Sequence, residues 1–169
     1  MAKKVDPLNR KNYNAVCAML TVSDVKAAAS FYQKAFGFSR RGIMNGPDGK
    51  PIHAELTLRG ATLMLSPAMG PNAKTPKALG GSPASLYVLV ENADKVVAKA
   101  VKLGAETRMP VADMFWGDRC GVVVDPEGYS WMIATHIADP TLQEMKKKMK
   151  EQMQAMQSQS AASGASQGQ

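Results

Sequence analysis

The chain contains an internal repeat, which constrains its fold more than any other feature. Thr21-Val22-Ser23-Asp24 matches Leu89-Val90-Glu91-Asn92, and Phe36-Gly37-Phe38 matches Leu103-Gly104-Ala105, at offsets of 68 and 67 residues. Self-similarity at a fixed offset indicates that one supersecondary unit occurs twice. In a chain of 169 residues, this repeat predicts two similar halves.

Both halves follow the order strand, helix, strand, strand, strand. In the first half, apolar runs of strand length occupy 14–22, 38–44, 52–58 and 61–66, and a helical stripe is formed by Val25, Ala28, Ala29, Tyr32 and Phe36. In the second half, the runs are 85–90, 106–111, 120–125 and 130–135, and the stripe is formed by Val96, Val97, Ala100, Val101 and Leu103. The pattern predicts an α+β fold of tandem βαβββ modules.

The remaining segments differ in composition from the two halves. We expect an N-terminal extension at 1–13, module 1 at 14–66, a linker rich in Pro, Gly, Ala and Lys at 67–83, and module 2 at 84–138. Residues 139–156 predict an amphipathic helix with one apolar face, formed by Leu142, Met145, Met149, Met153 and Met156. This helix docks on the body or on a second subunit, or it presents a Met-rich binding face. Residues 157–169 hold only Gln, Ser, Ala and Gly, and we expect them to be disordered.

Charge and composition exclude several classes of protein. Of the net charge of +7, residues 1–11 contribute +3 and residues 140–169 contribute +2, so the body between them carries only +2. A nucleic-acid-binding domain concentrates positive charge on its folded face, so nucleic acid is not an expected partner. No run of 18 apolar residues predicts a membrane span, and no apolar segment follows the basic N-terminus as in a secretory signal. Two distant cysteines suit a reducing compartment, so we expect a cytoplasmic protein.

The repeat and its motifs resemble those of the vicinal oxygen chelate superfamily, which includes glyoxalase I, extradiol dioxygenases, fosfomycin-resistance enzymes and bleomycin-binding proteins. The matching residues are Val22-Ser23-Asp24, Phe31-Tyr32, Phe36-Gly37-Phe38 and Asp125-Pro126-Glu127-Gly128-Tyr129. The segments 113–119 and 131–136 are similar to the PhnB-like branch of that superfamily. The resemblance implies that the modules form a mixed, eight-stranded, partly open cup, usually in a homodimer. It leaves open whether the modules pair within one chain or between subunits.

The resemblance also implies four metal-ligand positions, which fall here on Cys17, Glu55, Ser85 and Met132. Only Glu55 is a ligand of the type that Ni²⁺, Zn²⁺ or Mn²⁺ takes in this superfamily, where His and carboxylate donors are needed. His53 shares a strand face with Glu55, but it has no known ligand role in the family. We therefore expect no metal and no other cofactor.

Without a metal, the cup is expected to be an apolar cavity with few polar groups. The candidate ligand-binding residues on its strands are Cys17, Met19, His53, Glu55, Ser85, Tyr87 and Met132. Phe115 and Trp116 are candidates for stacking on a flat ligand, although Trp116 serves equally well as a hydrophobic plug. Arg119 binds an anionic group, or it forms an ion pair with Asp118 or Asp113.

Glu55 is the candidate catalytic residue. A carboxylate in an apolar cup should have a raised pKa and could act as a general base. Alternatively, Glu55 is hydrogen-bonded to His53 or Tyr87 and has only a structural role. We expect His136, beyond the last strand, to be structural.

These observations leave three hypotheses of function. The first is a metal-free protein that binds a small molecule, with a neutral aromatic or anionic compound as guest. The second is a divergent glyoxalase-type lyase or isomerase, or a related metalloenzyme, that uses Glu55. The third is that the dimer and its Met-faced helix serve protein–protein interaction.

Overall fold

The computed structural model describes residues 13–165. The first half comprises β1 (Ala18–Val22), α1 (Val25–Phe36), β2 (Ser39–Asn45), β3 (Pro51–Leu58) and β4 (Ala61–Pro67). After the short helix α2 (Pro76–Leu79), the second half comprises β5 (Ser85–Leu89), α3 (Ala93–Lys102), β6 (Glu106–Asp113), β7 (Asp118–Val124) and β8 (Ser130–His136). Helix α4 (Leu142–Ala165) follows. The expectations for residues 1–12 and 166–169 lie outside the described residues.

The strands form two four-stranded sheets, ordered β1-β4-β3-β2 and β5-β8-β7-β6. In each sheet the first pair is parallel and the others are antiparallel. The predicted α+β fold of two βαβββ modules is therefore confirmed. Within the described residues, the eight strands belong to two open sheets that share no backbone ladder.

Both module helices begin and end where the sequence provides capping residues. Asp24 accepts hydrogen bonds from the backbone N–H groups of Lys26 and Ala27 at the start of α1, and Asn92 caps α3 in the same manner. Gly37 follows α1 at φ 81°, a left-handed conformation that favours glycine. Local chemistry thus sets the two helices.

Most element boundaries differ from the predictions by one or two residues, and some differ by more. The first strand begins at Ala18 rather than at residue 14, because Cys17 turns back to donate to the Asn14 carbonyl at 3.5 Å. The linker contains α2, which is too short for a periodic signal. The second strand of module 2, β6, extends to Asp113, which pairs with Arg119. Helix α4 extends to Ala165, past the predicted helix end at residue 156.

Each sheet buries one face against the helices and leaves the opposite face open. In β3, Ala54 and Leu56 are fully buried, whereas His53 and Glu55 point to the other side and are half-buried. We call this opposite side the open face of each sheet. Met19 is exposed on the open face of module 1, and Tyr87 is exposed on that of module 2.

The helix-facing sides of the two sheets share one hydrophobic core. Trp131 of β8 is fully buried, and its ring lies 5.2 Å from that of Tyr32, 4.8 Å from that of Phe36 and 6.2 Å from that of Phe38. The largest aromatic side chain of module 2 is thus packed among aromatic rings of module 1. Such packing gives the modules a common core.

Asp125 joins the modules by buried hydrogen bonds. Its Oδ2 accepts from the Tyr32 hydroxyl and from Trp131 Nε1, both at 2.7 Å, and its Oδ1 accepts two backbone N–H groups of its own turn. Burial raises the pKa of the Asp125 carboxyl, and the hydrogen bonds from Tyr32 and Trp131 oppose that shift. Burial also raises the pKa of Tyr32, which therefore remains a hydrogen-bond donor.

The same turn holds the end of β1 at two further points. The Glu127 carboxylate accepts from the backbone N–H of Ser23 at 2.7 Å and from its hydroxyl at 2.8 and 2.9 Å. The Tyr129 hydroxyl donates to the Thr21 carbonyl and accepts from the Thr21 N–H, each at 2.9 Å. These bonds satisfy peptide groups at the outer edge of β1.

We predict that Tyr32→Phe lowers the free energy of unfolding by about 2 kcal/mol, because it removes a buried hydrogen bond to a carboxylate. Urea denaturation followed by circular dichroism measures this loss. Tyr87→Phe is the matched comparison, since it removes a Tyr–Asp bond at a half-exposed position where water can replace the hydroxyl. An equal loss of unfolding free energy in the two variants would contradict the prediction that the buried bond to Asp125 contributes more than the half-exposed bond to Asp118.

Candidate functional site

A groove of about 500 Å³ lies where the edge of module 1 faces β5. Its walls come from β1, β4 and the β3–β4 turn on one side and from β5 and β8 on the other. They are predominantly apolar, and the lining residues are Ala18, Phe38, Leu58, Arg59, Ala61, Thr62, Leu63, Leu86, Tyr87, Val88, Leu89 and Trp131. A concave apolar cavity with a few polar groups is the usual form of a small-molecule site.

The groove exists because β1 and β5 are edge strands that pair with only one neighbour each among the described strands. Arg59 spans one end of the gap and donates from Nη2 to the Leu89 carbonyl of β5. An edge carbonyl of module 2 is thereby satisfied by a side chain of module 1. Arg59 is exposed and is the charged residue among those that line the groove.

Tyr87 connects the groove to a polar network on the open face of module 2. Its hydroxyl donates to Asp118 Oδ2, which also accepts from Trp116 Nε1 at 3.1 Å. Asp118 Oδ1 lies 2.8 Å from His136 Nδ1, and His136 Nε2 lies 3.0 Å from Asp139 Oδ1. One nearly buried carboxylate therefore fixes a tyrosine, a tryptophan and a histidine.

The protonation preferences in this network follow from its hydrogen bonds. Burial alone would raise the pKa of the Asp118 carboxyl, but donors from Tyr87, His136 and Trp116 lower it overall. Asp118 and Asp139 both raise the pKa of the His136 imidazole. Burial and the bond to Asp118 raise the pKa of Tyr87 to about 12. Tyr87 therefore stays protonated at neutral pH, and its oxygen can still accept a hydrogen bond from a guest.

Glu55 lies on the open face of module 1 beside a cation. Its carboxylate is 3.7 Å from Arg41 Nη1 and 3.4 Å from His53 Nε2. Of the two alternatives for its partner, His53 is correct, because Tyr87 bonds to Asp118 instead. The expectation of Glu55 in an apolar cup did not include Arg41, which lies on the adjacent strand and pairs with the carboxylate.

The residues at the four implied metal-ligand positions do not fit a divalent ion. Cys17 contacts the Asn14 carbonyl, Ser85 is exposed, and Met132 lies beside Tyr87 in the parallel register. Glu55 is already paired with Arg41. Among the described residues, no group of three or more His, Cys, Asp or Glu side chains could hold a metal ion.

Arg119, Phe115 and Trp116 lie away from the groove. Arg119 forms ion pairs with Asp94 at 2.7 Å and with Asp113 at 2.8 Å, so it is not available as an anion clamp. Of its two predicted partners, Asp113 is correct, whereas Asp118 bonds elsewhere. Phe115 packs edge-to-face on Trp116 at 5.0 Å. Trp116 serves as a hydrogen-bond donor to Asp118, rather than as a mouth residue of the groove.

The candidate ligand-binding residues thus separate into groups. Tyr87 lines the groove, His53 and Glu55 form one open-face cluster, and the others lie outside the groove lining: Cys17, Met19, Ser85, Phe115, Trp116, Arg119 and Met132. The residue that sequence reasoning missed is Arg59. The repeat held a signal for it, because Arg59 and Glu127 are 68 residues apart and each precedes a turn glycine.

The family model of the Glyoxalase/Bleomycin resistance protein/Dioxygenase superfamily matches residues 15–133, which is more than half of the chain. The chain therefore belongs to this superfamily. The resemblance drawn from the repeat and its motifs is confirmed, and so is the fold that it implied.

Comparison with curated proteins gives relatives over most of the chain. It is 36% identical over 156 residues to the uncharacterized protein Mb0911c of Mycobacterium bovis, covering 90% of this chain and 98% of that protein. The same identity holds for the uncharacterized protein Rv0887c of Mycobacterium tuberculosis, of which 88% is covered. CFP32 of Mycobacterium bovis, provisionally named a glyoxylase, is 30% identical over 125 residues, which are 70% of this chain and 45% of CFP32.

Solved structures share the fold. A gene product of Arabidopsis thaliana has a TM-score of 0.59 at 27% identity, with 72% of this chain and 98% of that chain covered. The PhnB protein from Bacillus cereus has a TM-score of 0.57 at 23% identity, over 72% and 99%. TioX from Micromonospora sp. ML1 has the same TM-score at 24% identity, over 72% and 98%.

No helix in the described part of this chain is long and apolar enough to cross a membrane.

We predict that His136 makes the stability of the protein depend on pH. In the folded state, the hydrogen bonds to Asp118 and Asp139 raise the pKa of His136 above its ordinary value of 6.5, so its stabilisation is complete below pH 6.5 and is lost as the pH rises through the folded pKa. The melting temperature of His136→Gln should therefore fall below that of the wild type at acidic pH and converge with it at alkaline pH.

His53→Gln, at the only other histidine, is the matched control for that experiment. The melting temperatures of the wild type, His136→Gln and His53→Gln are measured from about pH 5.5 to about pH 8.5, the range in which histidines usually titrate. The prediction is wrong if the difference in melting temperature between the wild type and His136→Gln stays constant across this range.

Proposed function

We propose that this protein binds a small organic molecule without a metal, and that the guest lies in the groove between module 1 and β5. The groove carries the proposal: about 500 Å³ of apolar cavity is lined on one side by Leu58 and Leu63 and on the other by Leu86 and Val88. A guest with a flat apolar body is favoured there, because burying its surface releases water from both partners. The Thr62 and Tyr87 hydroxyls orient it.

The chemistry of the family's ligand positions supports a metal-free role. A thiol, a hydroxyl and a thioether at Cys17, Ser85 and Met132 cannot replace His and carboxylate donors around a hard ion. Glu55, the remaining donor, is balanced by Arg41. The name glyoxylase is given to a relative, CFP32, and not to this chain. Because Glu55 is already paired with Arg41, an enzyme that uses Glu55 is the second candidate function.

We further propose that the protein functions as a homodimer. Several large apolar side chains outside the groove are exposed on or near the open faces, namely Val16, Met19, Met44 and Ile137. A second copy that covered these faces would remove apolar surface from water. The experiment on subunit count below tests this proposal together with metal content.

We predict that Ala61→Trp abolishes binding in the groove. Ala61 is exposed and lines the groove, so an indole there fills the cavity without disturbing the buried core. Fluorescence titration with Nile red, a neutral aromatic dye, should show saturable binding to the wild type and at least about tenfold weaker binding to the variant.

Ala112→Trp provides the matched control, because Ala112 is an exposed strand residue that does not line the groove. It should bind the dye as the wild type does. Equal weakening by the two tryptophan variants would locate dye binding elsewhere on the apolar surface, and a panel of flat aromatics and small acids that leaves the melting temperature unchanged would count against the binding function.

Native mass spectrometry after purification with a chelator, repeated after addition of Ni²⁺, Zn²⁺ or Mn²⁺, should give a dimer whose mass shows no stoichiometric metal. The reason is the unsuitable donor set at the ligand positions. A co-purified organic adduct would support the proposal and report the mass of the guest. One metal ion per subunit would overturn it in favour of a glyoxalase-type enzyme, and a monomer would contradict the dimer.

A further inference from the structure

We infer that the groove selects guests that carry a carboxylate, and that Arg59 is the residue that recognises it. This inference rests on the proposed function, because it names the chemical class of the guest in the same groove. The guest would combine a flat apolar body between the modules with an anionic group at the end of the groove where Arg59 lies.

The first argument is the charge of Arg59. In the described structure no carboxylate lies within ion-pair distance of its guanidinium, whose recorded partner is the neutral carbonyl of Leu89. A guanidinium has five N–H donors, and this contact uses one nitrogen. The spare donors match the two oxygens of a carboxylate.

The groove lining adds no negative charge that would compete with an anionic guest. The lining residues include no Asp or Glu. Asp118, which contacts the lining through Tyr87, is paired with His136. Arg59 also lines the neighbouring cavity, where the negative charge of Glu91 is outweighed by the positive charges of Lys95 and Lys99. The local field at Arg59 therefore favours an anion.

The second argument is the backbone of Arg59. Its φ is 45°, and it is the non-glycine residue of the described chain with positive φ. Gly and Asn adopt this conformation with less strain, so a turn selected only for its shape would favour them. The strained backbone holds the guanidinium at the groove, which points to a role for the side chain.

The equivalent residue of module 2 shows what a purely structural side chain looks like at this turn position. Glu127 is nearly buried, and both of its oxygens are bonded to Ser23. Arg59, in contrast, is exposed and makes one bond to the other module. At one turn of the repeat, both carboxylate oxygens of Glu127 have hydrogen-bond partners. At the equivalent turn, the Arg59 guanidinium keeps N–H donors that this contact does not use.

Calorimetric titration with 2-naphthoate and 2-naphthamide tests the inference, because the probes share a ring system and differ in charge. The wild type should bind 2-naphthoate at least about tenfold more tightly than 2-naphthamide, because a charge-assisted hydrogen bond contributes that much affinity. Arg59→Asn removes the guanidinium while suiting the left-handed backbone, so the variant should fold and bind both probes with the weaker affinity. Raised salt should reduce that preference in the wild type.

Arg108→Gln is the matched control, because Arg108 is an exposed arginine outside the groove lining; the preference for 2-naphthoate should persist in this variant. If both probes bind wild type equally and Ala61→Trp abolishes both, the binding function holds and the role of Arg59 is overturned. Persistence of the preference in Arg59→Asn also overturns it. If neither probe binds, the proposed function and this inference both fail.

Discussion

The hydrogen bonds of Asp125 are the constraint on which the rest of the structure depends. Asp125 lies in the last hairpin turn of module 2, yet one of its oxygens is bonded to a helix of module 1 through Tyr32. Its other donor, Trp131, is the ring that module 1 packs around. A buried carboxylate that lost these donors would be left desolvated and unpaired, so the modules cannot slide past each other without a large cost. The register between the modules is therefore fixed chemically.

The equivalent hairpin turns of the two modules also hold the modules together, through side chains of opposite charge. The module 2 turn uses the acceptor Glu127 to hold an N–H of module 1, and the module 1 turn uses the donor Arg59 to hold a carbonyl of module 2. Both contacts lie where one module's hairpin meets the other module's first strand. Because β1 and β5 form no ladder with each other, these side chains close the two ends of the gap and leave the groove between them. The groove is thus a consequence of joining two sheets by side chains.

The order of elements was predictable because strand alternation, helical stripes and capping residues are local properties of the sequence. His53 and Glu55 were placed correctly on one face for the same reason. The groove was not predictable, since its walls come from strands of both modules, which only tertiary packing brings together. Similarly, Glu55 of module 1 was the carboxylate considered for Tyr87 from the sequence, whereas the fold places the Tyr87 hydroxyl against Asp118 of its own module. Arg59 escaped notice because a turn position before glycine is ordinarily interpreted as surface.

The separation of the two sheet faces explains how this chain can keep the fold of its superfamily with Cys17, Ser85 and Met132 at three of the four implied ligand positions. The shared core, the Asp125 bonds and the Glu127 contact all involve the helix-facing side or the turns. The four ligand positions lie instead on or beside the open faces, where Ser85 is exposed and Glu55 is half-buried. Substitution there removes no core packing, and surface substitutions cost little stability. In the function proposed here, recognition of a guest depends on the gap between the modules, which the same core maintains.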